Sequence, residues 1–178
     1  MSIKAIAVFC GSKLGNDPLY EEHTRALGKL LAEKNIDVIY GGGNRGLMGA
    51  VANAALENNG NVTGIIPELL QTKEIIHESL TETHVVDGMH NRKKMIYERC
   101  DAAIILPGGY GTLDEVFEML TWNQLKIHSK KIFILNSAGF YNHLIAHIKH
   151  LHNQGFLYNH PIEQMTIINE PEALLKYF

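Results

Sequence analysis

The sequence predicts an α/β fold, a Rossmann-like open parallel sheet with helices on both faces. Short apolar runs typical of buried strands alternate along the chain with longer segments whose apolar residues recur at helical spacing. Two of the runs end in glycine-rich turns that lead directly into a helical segment. The 178 residues contain no linker, repeat or low-complexity segment, so one domain spanning 1–178 is expected.

Most of the predicted strands are short apolar runs, and all but the third are clearly followed by a helical pattern. The strands are expected at 4–10, 36–40, 62–66, 83–86, 102–106, 131–135 and 165–168. The helices are expected at 18–35, 50–59, 89–100, 113–125, 141–153 and 170–178. Asp17 as N-cap and Pro18 at the first helical position mark the start of the first helix. Pro67 stops the third strand, and 68–87 is less regular.

This alternation predicts a parallel sheet that is covered on both faces. Right-handed crossovers bring the C-terminal ends of all its strands to one edge. The loops that follow residues 10, 40, 66 and 106 are therefore expected to share that edge. Ligands of such sheets bind there.

The composition excludes several classes of function. A formal net charge of −3 argues against nucleic acid as the main partner. Cys10 and Cys100 are the only cysteines, too few for a disulfide scaffold or a four-thiolate zinc site. No segment resembles a signal peptide or reaches the length of a membrane span. A cytoplasmic protein without a membrane partner is expected.

The strongest functional signal is the segment 106–115, Leu-Pro-Gly-Gly-Tyr-Gly-Thr-Leu-Asp-Glu. Its glycines allow a sharp turn between a buried strand and a helix, and the helix N-terminus offers unpaired N–H groups and a positive dipole end. These features predict a phosphate cradle with Thr112 as a further donor and Glu115 at its lip. The same residues also form a possible capping box, with Thr112 as N-cap and Glu115 reaching back to it. Both interpretations stay open.

A second glycine-rich turn, 41–46, matches the dinucleotide fingerprint G-x-G-x-x-G, and Glu68 lies near the position of its acidic residue. The turn follows the second strand rather than the first, however, and Pro67 breaks the chain before Glu68. Three interpretations remain: a dinucleotide site, a tight turn for helix–strand packing, or a loop that shapes a mononucleotide pocket.

Other polar clusters carry weaker signals. Arg92 and Lys93 form either a solvated basic face or a phosphate contact, since the proposed cradle is the next loop along the chain. The stripe of His143, His147 and His150 lacks the glutamate of H-E-x-x-H and is expected to face solvent rather than to bind a metal. Cys10 is expected to be a small buried residue. No Ser–His–Asp arrangement is apparent.

Three segments together resemble the LOG (Lonely Guy) family of cytokinin riboside 5′-monophosphate phosphoribohydrolases, often mislabelled as lysine decarboxylases. They are 41–49, 89–93 and 107–115, and they contain the family's M-x-x-R-K and P-G-G-x-G-T-x-x-E motifs complete. The resemblance covers nearly the whole chain, from residue 5 to residue 124. It departs from the family at Lys13, where many members have a second serine.

The resemblance implies a nucleotide-binding domain that hydrolyses the N-glycosidic bond of a purine riboside 5′-monophosphate. The base would be adenine or an N6-substituted adenine, and the products would be the free base and ribose 5-phosphate. It implies Arg92 and Glu115 as the catalytic pair, no metal, no cofactor and a homodimer. The further implied substrate contacts are Gly11, Ser12, Gly42, Gly43, Glu78, Met89, Lys93, Gly108, Gly109, Tyr110, Gly111, Thr112 and Thr121.

The residues suit this chemistry. Glycosidic cleavage passes through a ribosyl cation, which a fixed carboxylate can stabilise or attack through an activated water. The helix dipole and nearby cations are expected to keep Glu115 ionised. A decarboxylase would need pyridoxal phosphate and a Schiff-base lysine, for which no setting is found. The alternative is a non-enzymatic nucleotide or cofactor carrier, which would not require the pairing of Arg92 with Glu115.

The helix predicted at 113–125 has apolar residues on two sides. The stripe expected to face the sheet consists of Leu113, Val116, Phe117 and Leu120. Met119 and Trp122 lie on roughly the opposite side, where a surface helix is normally polar. A second apolar face predicts a covering layer, either a partner subunit or a loop of the same chain.

Overall fold

The computed structural model describes residues 3–70 and 76–178. Its strands are β1 (Ala5–Phe9), β2 (Asp37–Tyr40), β3 (Val62–Pro67), β4 (Glu82–Val86), β5 (Ala102–Ile105), β6 (Lys131–Leu135) and β7 (Thr166–Ile168). Its helices are α1 (Pro18–Glu33), α2 (Gly46–Glu57), α3 (Gly88–Arg99), α4 (Tyr110–Gln124), α5 (Asn142–Asn153) and α6 (Pro161–Gln164). Short 3-10 helices span Glu68–Leu70, Ser137–Gly139 and Pro171–Tyr177. Part of the stretch predicted to be irregular, 71–75, lies outside the described residues.

All seven strands are parallel and lie in the order β4-β3-β2-β1-β5-β6-β7. The chain therefore builds outward from β1 to one side, and then crosses back to β5 and builds outward to the other side. The strand order reverses between β1 and β5, and ligands of open α/β sheets bind at this switch point. The predicted open parallel sheet is confirmed.

Apolar layers cover both faces of the sheet. Along β1 the side chains alternate: Ile6 and Val8 pack on the side of α1 and α2, whereas Ala7 and Phe9 pack on the side of α3 and α4. Asp17 caps α1 as predicted, because its Oδ1 accepts a hydrogen bond of 2.9 Å from the N–H of Leu19. The predicted final α-helix is instead a 3-10 helix, and the four-residue α6 is too short to leave a periodic signal.

Helix α4 begins at Tyr110, three residues before its predicted start. Gly109 occupies the N-cap position and makes no side-chain hydrogen bond there, so Thr112 lies inside the first turn. The capping-box interpretation is therefore wrong. The glycines on either side of Tyr110 let the chain enter the helix earlier than the apolar pattern suggests.

The prediction of which side of α4 faces the sheet is wrong in part. The buried residues of α4 are Thr112, Glu115, Val116 and Met119, whereas Phe117 is 40% exposed. Trp122 packs edge-on against Tyr97 of α3, with ring centroids 4.7 Å apart. The same chain therefore covers the second apolar face. The helix is rotated so that Thr112 and Glu115 point to the switch point. Val116 and Met119, one turn later on the same side, are therefore buried as well.

Candidate active site

Three loops meet at the switch point, as predicted. The N–H of Gly11, after β1, donates to the carbonyl of Pro107, after β5, over 3.0 Å. The carbonyl of Gly11 accepts from the N–H groups of Leu47 and Met48, at 3.0 and 3.3 Å, in the first turn of α2. The Gly11 carbonyl therefore occupies backbone N–H groups at the start of α2 that a dinucleotide would need for its pyrophosphate. The loops after β1 and β2 therefore form a floor beside the loop after β5.

The first turn of α4 remains open above this floor. Helix geometry leaves the N–H groups of Tyr110, Gly111 and Thr112 without an intrahelical acceptor. A Cβ atom on Gly108 would lie 2.1 Å from Thr112 Oγ1, so only glycine fits that position. Open space surrounds the places where Gly109 and Gly111 would carry a Cβ. The arrangement is suited to an anion the size of a phosphate.

Arg92 reaches this edge from α3 and is buried, with 9% of its surface exposed. Its Nε donates to the carbonyl of Ile65 over 3.2 Å. A Cβ atom on Gly41 would lie 2.1 Å from Arg92 Nη2, which means that the guanidinium lies directly against the Gly41 backbone. This contact favours the interpretation of the 41–46 turn as a wall that shapes the pocket.

Glu115 faces Arg92 at the outer limit of an ion pair, without a hydrogen bond to it. Arg92 Nη1 and Glu115 Oε1 are 4.0 Å apart, longer than a hydrogen bond, and both side chains are 11% exposed. Burial raises the pKa of Glu115 to about 7, since Arg92 and Lys93 only partly oppose it and Asp114 and Glu118 add to it. The expectation that the helix dipole and nearby cations keep Glu115 fully ionised is therefore wrong at neutral pH. Desolvation outweighs the cations.

Lys93 is already paired within the protein. Its Nζ lies 3.1 Å from Asp114 Oδ2 and 3.1 Å from Glu118 Oε1, both on α4. Burial lowers the pKa of Lys93, but the hydrogen bonds to these two carboxylates outweigh burial and raise it. Its predicted contact with the substrate stays a prediction, and the structure places its ammonium between α3 and α4.

The structure brings other predicted contacts to the same edge. The N–H of His77 donates to the carbonyl of Gly42 over 3.1 Å, and this bond places the exposed Glu78 beside the 41–46 turn. Met89 Sδ lies 4.0 Å from Arg92 Nη1. Gly43 pairs with residue 76, and Ser12 is exposed in the loop after β1.

Thr121 does not join this group. It lies six residues after Glu115 on α4, about 9 Å further along the helix axis at 1.5 Å per residue. It lines an apolar groove with Phe117 and Ile148, away from the first turn of α4. Within a single chain its predicted contact with the substrate lacks structural support.

A Ser–His–Glu row that sequence analysis missed lies at the same edge of the sheet. His23 Nδ1 is 2.9 Å from Ser137 Oγ, and His23 Nε2 is 3.0 Å from Glu170 Oε2. Ser137 is completely buried, so its hydroxyl cannot meet a substrate. The row ties α1 to the segments after β6 and β7. No local pattern signals it, because His23 and Ser137 are 114 positions apart.

His143, His147 and His150 are exposed, as predicted from sequence. Among residues 3–70 and 76–178 there is no group of three or more side chains that could hold a metal ion. Cys10 is buried, and burial together with the charge of Glu115 raises the pKa of its thiol. Within the same ranges no helix is long and apolar enough to cross a membrane.

Solved structures share this fold at low identity. A molybdenum cofactor binding protein from Rippkaea orientalis matches with a TM-score of 0.73 and 22% identity, over 99% of this chain and 95% of that chain. The molybdenum cofactor carrier protein from Chlamydomonas reinhardtii matches with a TM-score of 0.73 and 17% identity, over 97% of this chain and 93% of that chain. These similarities show the fold alone.

Sequence relatives are much closer. A family model described as possible lysine decarboxylase matches residues 48–178. A cytokinin riboside 5′-monophosphate phosphoribohydrolase from Arabidopsis thaliana is 44% identical over 170 residues, 96% of this chain and 77% of that protein. One from Rhodococcoides fascians is 43% identical over 155 residues, 86% of this chain and 78% of that protein. With both motifs complete and placed at the switch point, the chain belongs to the LOG family of phosphoribohydrolases and is an enzyme of that family.

Proposed function

We propose that this enzyme hydrolyses the N-glycosidic bond of a purine riboside 5′-monophosphate, with adenine or an N6-substituted adenine as the base. The observation that carries the proposal is the placement of Arg92 and Glu115 beside the open first turn of α4. The products are the free base and ribose 5-phosphate. The relatives named above support this substrate class.

The 5′-phosphate binds to the N–H groups at the start of α4 and to the hydroxyl of Thr112, where the helix dipole favours an anion. Arg92 adds a planar guanidinium that can bind a phosphate or ribose oxygen through two N–H groups. Its bond to Ile65 fixes one side of the fork and leaves the two terminal nitrogens toward Gly41 and Glu115.

Glu115 acts at the anomeric carbon. The C1′–N bond breaks with its electrons going to the purine, and a water oxygen bonds to C1′. One proton of that water passes to a general base. The ionised carboxylate stabilises the ribosyl cation and accepts that proton. A pKa of about 7 lets Glu115 both take up and release a proton near neutral pH. Glu115 then returns this proton to the departing purine, directly or through water, so that the purine carries a hydrogen in place of the sugar.

An apolar cavity of about 190 Å³ adjoins Gly108 and supports the assignment of a flat, partly apolar base. Leu14, Tyr20, Leu47 and Phe140 contribute to its walls. Lys13, the position that departs from the family pattern, lies at the same cavity. The cavity has room for a base or for a substituent on it.

The two competing activities have weaker support. A lysine that forms a Schiff base must be available as the free amine, whereas Lys93 is paired with two carboxylates that raise its pKa. A carrier of nucleotides would not need a buried carboxylate that stays unbonded to the arginine facing it. The molybdenum cofactor binding protein and the molybdenum cofactor carrier protein also match at only 22% and 17% identity.

The decisive experiment is incubation of the purified protein with AMP, its N6-isopentenyl analogue or adenosine, followed by chromatography for free base. Release of base from a monophosphate supports the proposal, and the faster of the two monophosphates identifies the preferred base. Binding of AMP without release of base would instead support the carrier. No release and no binding would overturn both.

We also propose that the enzyme is a homodimer that works in the cytoplasm. The apolar groove between α4 and α5 is lined in part by Phe117, Leu120, Ile148, Leu151 and Leu157, and Phe117 is 40% exposed. A partner subunit seated there would lie next to Thr121. Sedimentation at micromolar concentration tests the proposal, and Phe117→Glu is expected to shift a dimer toward monomer. Trp122→Glu cannot serve this purpose, because Trp122 packs inside its own chain.

A further inference from the structure

Glu118 connects the two helices that carry the candidate catalytic pair. It lies on α4, one turn after Glu115, and both of its carboxylate oxygens accept from α3. Oε1 lies 3.1 Å from Lys93 Nζ, and Oε2 accepts a hydrogen bond of 2.6 Å from the hydroxyl of Tyr97. Its side chain is 20% exposed, so these bonds are partly shielded from water.

The α3 ends of these bonds are themselves fixed. Tyr97 packs edge-on against Phe9 of β1, with ring centroids 6.2 Å apart, and against Trp122 of α4 at 4.7 Å. Lys93 directly follows Arg92 in α3. A shift of Glu118 would therefore move the helical turn that carries Arg92, while Tyr97 keeps that turn attached to the core.

Arg92 and Glu115 attract each other but form no hydrogen bond that would fix their geometry, since 4.0 Å separates their closest charged atoms. The spacing between them therefore depends on the bond of Arg92 to Ile65 and on other bonds between α3 and α4. The bonds of Lys93 and Tyr97 to Glu118 and of Lys93 to Asp114 are the ones that the described residues show. Of the two acidic partners, Asp114 is 60% exposed and pairs with Lys93, whereas Glu118 pairs with both Lys93 and Tyr97.

We propose that Glu118 is a positioning residue of the active site, which keeps α3 at the distance from α4 at which Arg92 and Glu115 face one substrate without bonding to each other. This inference rests on the proposed function of that pair. Glu118 does not touch the substrate. It leaves the bonding capacity of Arg92 and Glu115 free for the phosphate, the ribose or the water.

Glu118 also acts on the protonation of Glu115. The titratable groups that face Glu115 are Arg92, Lys93 and Tyr97 from α3, Asp114 and Glu118 from α4, and Cys10 after β1. Among these, the negative charge of Glu118 contributes to raising the pKa of Glu115. Glu118 also neutralises Lys93, whose positive charge lowers the pKa of Glu115. Loss of the Glu118 charge therefore lowers the pKa of Glu115 on both counts.

The test is Glu118→Gln, which keeps the size of the side chain but only one of its two acceptor oxygens. We expect kcat for AMP to fall by up to about 100-fold, the scale of a misplacement of about 1 Å, with a smaller change in KM. The limb of the pH–rate profile that belongs to Glu115 should move to lower pH. Tyr97→Phe should lower kcat without moving that limb, because it removes a bond but no carboxylate.

Glu98→Gln is the matched control, since Glu98 lies on the outer face of α3 with a side chain 64% exposed. It should leave kcat and the pH profile unchanged. A folded Glu118→Gln protein with the kcat and pH profile of the wild type would overturn the proposal. Lower thermal stability with normal kinetics would do the same, because it would show a merely structural role.

Carbon-13 NMR of the glutamate carboxyl groups gives a readout that does not need activity. Comparison of wild type with Glu118→Gln should show the titration of Glu115 displaced to lower pH, with Glu115→Gln used to assign its signal. An undisplaced titration contradicts the electrostatic part of the role. If the wild type releases no base from any nucleotide, the proposed function fails, and the carboxyl titration still decides whether Glu118 acts on Glu115.

Discussion

Two polar clusters with buried side chains, His23 with Ser137 and Arg92 with Glu115, lie at the same edge of the sheet, and they differ in how fully their bonding capacity is used. His23 has a partner at each ring nitrogen, at 2.9 and 3.0 Å, and the hydroxyl that it contacts is completely buried. Arg92 and Glu115 are equally hidden from solvent but remain 4.0 Å apart beside an open helix N-terminus. The first cluster is closed and the second is incomplete.

The comparison shows that residue types alone do not mark a catalytic site. A row of Ser137, His23 and Glu170 has the composition of a hydrolase triad, yet a substrate cannot reach its serine hydroxyl. Buried charges that lack close partners cost folding stability, so such groups are found mainly where a ligand completes their bonds. Unused bonding capacity next to an open cradle is the better criterion here.

Replacement of Glu115 should produce the largest effect. Glu115→Gln removes the charge and leaves the volume, and we expect base release from AMP to fall by about 10²–10⁴-fold, the usual contribution of a general acid or base. Chromatography of the released base measures the loss, and circular dichroism checks the fold. Full activity would show that the incomplete cluster is not catalytic.

Replacement of Arg92 should produce the second-largest loss of activity. Arg92→Ala is expected to lose most turnover, and Arg92→Lys should not restore it fully, because an ammonium cannot reproduce the planar two-donor fork.

The α4 cradle contributes nothing to a ligand without phosphate, so AMP should be cleaved much faster than adenosine. Equal kcat/KM for AMP and adenosine would contradict the cradle.

The same Glu115→Gln variant should be more stable than the wild type at alkaline pH. Because burial raises the pKa of Glu115 from 4.5 to about 7, the folded protein holds this proton more tightly than the unfolded chain. The associated stability is fully present below pH 4.5 and is lost as the pH rises through 7, and the full shift corresponds to about 3 kcal/mol at 1.36 kcal/mol per unit.

Urea unfolding of both proteins at pH 5 and pH 8 measures this difference. The variant should exceed the wild type at pH 8, and the gap should narrow toward pH 5. A constant gap between the two pH values would mean that ionisation of Glu115 carries no cost in the folded state. The result would then remove the main distinction between the two clusters.

Disruption of the closed cluster should give the smallest effect on function. Ser137→Ala leaves Nδ1 of the buried His23 without its partner, which should lower the free energy of unfolding by about 1–3 kcal/mol. Activity should stay at the wild-type level, because Ser137 has no contact with the cradle. Urea unfolding and the base-release assay together test this separation. A large loss of activity in a folded Ser137→Ala protein would mean that the His23 row takes part in the reaction.

Much of the architecture could be predicted from local sequence. Apolar runs formed most of the strands, which are three to six residues long, and Asp17 with Pro18 marked the start of α1 as predicted. The motif residues Arg92 and Glu115 were paired by resemblance, and the parallel topology brings them to one edge. These features depend on periodicity, on local capping and on the handedness of crossovers, which short stretches of sequence encode.

Tertiary structure alone decided the state of the site. The rotation of α4 buried Met119 and exposed part of Phe117, and it turned Glu115 inward, where desolvation raises its pKa. The pairing of Lys93 with Asp114 and Glu118, and the contact of His23 with Ser137, join residues far apart in the chain. Burial and long-range pairing depend on how whole elements pack, so no local pattern contains them. Sequence determined which groups the site has, and packing determined which of them remain free to react.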